Sequence, residues 1–110
     1  MTDDELTDAW EAGAVFADGV SHWDHLRIGW VLHRRHGPDE AARRLLSGTE
    51  RACELHGCPE KFDAALTARW GRAIAEAAER GGLGASPDDF FNSHPELRRG
   101  DLFGSPDGPP

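Results

Sequence analysis

Along residues 62–77 the apolar side chains Phe62, Ala65, Leu66, Trp70, Ala73, Ile74 and Ala77 recur three and four apart, a spacing that an α-helix turns to one side. The rest of the chain favours the same geometry, because β-branched runs are missing, tyrosine is absent, and alanine and arginine abound. The expected fold is all-α, a compact up-and-down bundle of four main helices with a short fifth packed across it.

Helix punctuation sets the boundaries. Thr2-Asp3-Asp4-Glu5 is a capping box, and Leu6, Ala9, Trp10 and Gly13 follow at helical spacing, so a first helix is predicted to about Ala17. Ser21 with Asp24 repeats the cap for a second helix, which His36-Gly37-Pro38 ends. Pro38, Asp39 and Glu40 open a third, whose stripe is Ala42, Leu45, Leu46, Ala52 and Cys53 and which Gly57-Cys58-Pro59 closes. The fourth carries the stripe over 62–77 and stops at Gly81-Gly82. Ser86-Pro87-Asp88-Asp89 caps the fifth through Phe91, with a break near His94-Pro95. Residues 1–103 thus read as one helical domain and 104–110, rich in Pro and Gly, as a disordered tail.

Two cysteines are too few for a disulfide framework, and nothing resembles a signal peptide or a membrane span of about 20 apolar residues. A cytoplasmic chain without a membrane partner is expected. A net charge of −8 argues against nucleic acid as partner, since phosphate affinity comes from clustered Lys and Arg. The basic stretch Arg27, Arg34, Arg35, Arg43, Arg44, Arg51 begins on what reads as the solvated face of the second helix, among acidic segments.

The inner face of that helix carries the most pointed chemistry. At about 100° per residue, His22, His25, Gly29, His33 and His36 fall within an arc of roughly 80°, with Trp23, Leu26 and Trp30 on one side and Ile28 and Leu32 on the other. Gly29 either admits a close neighbour or leaves space before the imidazoles. His22 and His25 have the i, i+3 spacing that lets two ligands from one helix converge on a metal. Structurally, His22 could instead help cap the helix and His25 bond a core carbonyl. His33 and His36 read as structural, His36 complementing the helix C-terminus.

Further ligands must come from elsewhere. Asp63 falls in the apolar arc with Leu66, Trp70 and Ile74, and Thr67 one turn on could hold its carboxylate. His94 lies between Phe90-Phe91 and Pro95, as a ligand or as a capping residue at a helix break. Asp24 reads as a cap. Cys53, His56 and Cys58 match no usual zinc spacing. The tryptophans Trp10, Trp23, Trp30 and Trp70 are either core or, for Trp23, Trp30 and Trp70 with Thr67, the wall of a small-molecule pocket.

The order His22-x-Asp24-His25-Leu26-Arg27-x-x-Trp30, then Lys61-Phe62 with Thr67, then Phe91-x-x-His94-Pro95-Glu96-Leu97 resembles a family of small all-helical bacterial proteins frequent in actinobacteria. The resemblance spans Trp10 to Leu102 and implies an all-helical fold, with no common activity to carry over. Where family members have Tyr-His followed by Glu, this chain has Phe62-Asp63-Ala64. The resemblance therefore implies either that Asp63 substitutes as a carboxylate ligand or that part of a family site is lost.

Three functions follow from these residues. The first is a divalent metal, Zn²⁺ or Fe²⁺, on His22, His25, Asp63 and His94, with room for a small substrate. The second is a metal-free binder or acid–base enzyme using His25 and Asp63. The third is a non-catalytic accessory or interaction protein whose histidines are core residues.

Overall fold

Thr2 acts as its capping box requires. In the computed structural model its hydroxyl accepts from the Glu5 amide at 3.1 Å while Glu5 Oε1 accepts from the Thr2 amide at 2.8 Å, and helix α1 runs Asp3–Glu11. The structure describes residues 2–14, 22–57, 60 and 62–98, without the side chains of His22 and Arg98. The first helix ends six residues before the expected Ala17. Gly13, read from its spacing as part of the apolar stripe, instead turns left-handed at φ 85°, and the amides of Gly13 and Ala14 close back on the carbonyls of Trp10 and Ala9. Ser21, half of the second predicted cap, lies outside the described residues, as do Cys58, Lys61 and the tail 104–110.

Helix α2 (His22–Leu55) holds the predicted second and third helices end to end. They abut at a single residue, Gly37, whose φ of 82° and ψ of 173° break the helix, and Pro38 restarts it at a position that needs no N–H. Helix α3 spans Ala64–Gly81 and stops at Gly82, with φ 79°. Helix α4 spans Pro87–Ser93, capped by the Ser86 hydroxyl on the Asp89 amide at 3.2 Å. After the break at His94 the chain makes a 3₁₀ turn, Pro95–Arg98, that seats Leu97 in the core. Among the described residues there is no strand, and no helix is long and apolar enough to cross a membrane.

Helices α1, α3 and α4 all pack on α2, and the radius of gyration of 13.1 Å matches the roughly 13 Å of a compact chain this long. Two glycines of α2 permit the close approaches. A Cβ on Gly48 would overlap the indole of Trp10, and one on Gly29 would come within 2.8 Å of Ile74 Cδ1 and 3.1 Å of the Trp70 ring. On α3, Gly71 lies against Leu45 and the backbone of Ala42, so α3 bridges both arms of α2. Leu26, Ile28, Trp30, Val31, Leu32 and Leu45 form the centre of the core.

The basic face of α2 is an ion-pair seam with α1, where a solvated face was expected. Arg27 pairs with Asp3 and Asp24, Arg34 with Asp4, Arg35 with Asp4 and Asp8, and Arg44 with Glu11 and Glu40. The guanidinium of Arg35, and with it that of Arg34, holds the Asp4 carboxyl below the usual range.

Candidate functional site

His25, Gly29 and His33 of α2 face α3. His25 is half-buried, its ring 5.5 Å from the Trp70 ring and tilted 59° to it. One turn on, the gap at Gly29 is closed by Ile74 and Trp70, which resolves the alternative left open by the sequence in favour of a close neighbour. His33 is buried, and its Nδ1 lies 2.8 Å from the Gly29 carbonyl. A carbonyl only accepts, so Nδ1 carries the proton and Nε2 of the neutral ring is an acceptor. That Nε2 is buried and, among the described residues, makes no hydrogen bond of normal geometry. Burial pushes the ring's affinity for a second proton below the ordinary histidine range, while the Gly29 and Gly71 carbonyls pull the other way. His36 is half-buried just before the Gly37 break, and the His22 side chain lies outside the described residues.

Asp63 does not sit in the apolar arc of α3. It is the residue before the helix, exposed, and its Oδ1 accepts from the Leu66 amide at 3.0 Å as an N-cap. The periodicity carried its angular position one residue past the point where the helix begins. Thr67 does not hold that carboxylate either: its hydroxyl donates to the Asp63 main-chain carbonyl at 2.9 Å. Asp63→Ala should therefore cost about 1 kcal/mol in urea denaturation, and Asp63→Asn almost nothing, because Asn caps as well as Asp. A loss in Asp63→Asn equal to that in Asp63→Ala would instead mark a role for the negative charge.

His94 ends α4, with its carbonyl accepting from Leu97 N, its ring 4.9 Å from that of Phe90, and its Nδ1 3.7 Å from Glu96 Oε2. This is the capping residue at a helix break that the sequence held open beside the ligand role. Among the described residues no group of three His, Cys, Asp or Glu side chains is placed to hold a metal ion. Cys53 is half-buried in the last turns of α2, and His56 is exposed beyond its end.

The tryptophans are packed into the molecule. Trp10, Trp30 and Trp70 are at most 3% exposed, Trp30 Nε1 donates to the Leu83 carbonyl at 2.8 Å, and the half-buried Trp23 meets Phe91 edge-on at 5.7 Å. Two features went unread in the sequence. Gly48 gave no local signal, since its meaning lies in Trp10 across the interface. Glu79 shares a hollow of about 180 Å³ with His33, Pro38, Ala75, Ala78 and Leu83. Of the charged residues of α3, Glu79 is the one that lines this hollow.

No family model, curated protein or solved structure matches the chain.

Proposed function

We propose that the chain is a non-catalytic accessory or interaction protein of the cytoplasm, an up-and-down bundle in which the histidine row of α2 is packing material. The observation that carries this reading is the close fit at Gly29, where Ile74 and Trp70 take up the space a ligand before the imidazoles would need. The engagement of Asp63 as a cap and of His94 against Phe90 supports it further. A Zn²⁺ or Fe²⁺ centre on His22 and His25 would have to share Asp63 with its cap and open the contact between His25 and Trp70. An acid–base pair of His25 with Asp63 meets the same obstacle.

Metal analysis of protein purified without a histidine tag tests the reading. Well under one equivalent of metal per chain is expected, together with melting curves that do not move with Zn²⁺, Fe²⁺ or Cu²⁺. One tightly held equivalent, lost together with stability on chelation, would overturn it.

A further inference from the structure

Among the described residues His33 is the only ionisable side chain in the buried core, at 6% exposed. Its surroundings suit neither protonation state. As a neutral ring it donates from Nδ1 to Gly29 and leaves Nε2 as a buried acceptor with no donor among the described residues. As an imidazolium it would gain a donor at Nε2, on the side of the α3 carbonyl of Gly71, but would place a charge in the core.

Among the described residues, charged groups flank it on two helices. From α3, Glu79 lines the same hollow; from the loop before α4, Leu83 brings only an aliphatic side chain. On α2 itself, Arg34 pairs with Asp4 and lies over the Trp30 ring, and Arg35 pairs with Asp4 and Asp8, so both are committed toward α1. His36 precedes Gly37, the break at which the arm carrying His33 ends.

We propose that His33 is an acid-operated latch on the contact between α2 and α3: with the ring neutral the helices close over it, and on taking up a proton it turns into the hollow toward Glu79 and loosens α3. The sign follows from linkage. The closed form binds the proton more weakly than the open form, so the open form gains population as pH falls below the ordinary histidine value of 6.5. The opening constant then rises by up to about tenfold per pH unit, levels off below the closed-state value, and is independent of pH well above 6.5.

The test is an NMR titration of the His33 ring in the wild-type chain, with hydrogen exchange of amides 71–79 corrected for its intrinsic pH dependence. The ring should titrate below 6.5, and exchange should quicken several-fold to about tenfold between roughly pH 6.5 and 5.5. Glu79→Gln, at an exposed site, should lower the ring's titration further by removing the acceptor of the charge. His33→Phe should abolish the pH dependence. A wild-type ring that titrates at or above 6.5, or exchange that stays flat as it titrates, overturns the latch whether or not either variant folds. A titration unmoved in Glu79→Gln overturns the part given to Glu79, and pH dependence retained in His33→Phe overturns the part given to His33.

Discussion

Trp30→Ala is expected to lower the stability of the chain by about 3–5 kcal/mol, a large share of the roughly 5–15 kcal/mol that holds an ordinary domain together. The indole is 1% exposed, and truncating it leaves a cavity where α2 meets the loop that leads into α4. It also leaves the Leu83 carbonyl without the N–H that reaches it at 2.8 Å, and removes the face over which the Arg34 guanidinium sits at 4.9 Å. Trp30→Phe separates these contributions. It keeps much of the packing but orphans the carbonyl, so a loss of about 1–3 kcal/mol is expected. Urea midpoints at unchanged slope would measure both, and a Trp30→Ala loss below that of Trp30→Phe would contradict the assignment.

Gly48→Ala should reverse the usual sign. In a helix interior this substitution ordinarily gains about 1 kcal/mol from propensity alone. Here the new methyl would overlap the Trp10 indole, which is 3% exposed and has little room to shift, so a net loss of about 1–3 kcal/mol is expected. Gly81→Ala is the control, because nothing among the described residues lies within 4 Å of a Cβ there and the residue is the last of α3. It should be neutral or slightly stabilising. The two effects at the α1–α2 contact should also fail to add: with Trp10→Leu in place, Gly48→Ala should cost much less than it does alone.

The boundaries that proved legible in the sequence are those set by local chemistry. Thr2 with Glu5, Ser86 with Asp89, Gly37 before Pro38 and Gly82 after α3 each act through atoms a few residues apart, so their residue types suffice. Gly13 was misread because helical spacing alone does not distinguish the next member of a stripe from the residue that ends it. Asp63 was misread for the same reason at the other end, since an N-cap continues the angular progression of the helix it precedes. The seam between α1 and α2 needed more than either helix contains. The acids at Asp3, Asp4, Asp8 and Glu11 and the arginines at Arg27, Arg34, Arg35 and Arg44 are each readable as a face, but their pairing depends on how α1 lies across α2.

The candidate site divides along the same line. That the histidines of α2 share a face with large apolar side chains follows from spacing. Whether the space before them is open depends on Ile74 and Trp70, which lie more than forty residues beyond Gly29 in sequence. Gly29 allowed both outcomes, and packing chose the close one.

The most direct test of that packing is the thermal unfolding of wild type and His25→Ala, each with and without Zn²⁺. The account predicts that His25→Ala lowers stability by about 1–2 kcal/mol through its lost contact with Trp70, and by the same amount whether or not the metal is present. A wild type that Zn²⁺ stabilises while His25→Ala does not respond would make His25 a ligand, and would contradict it.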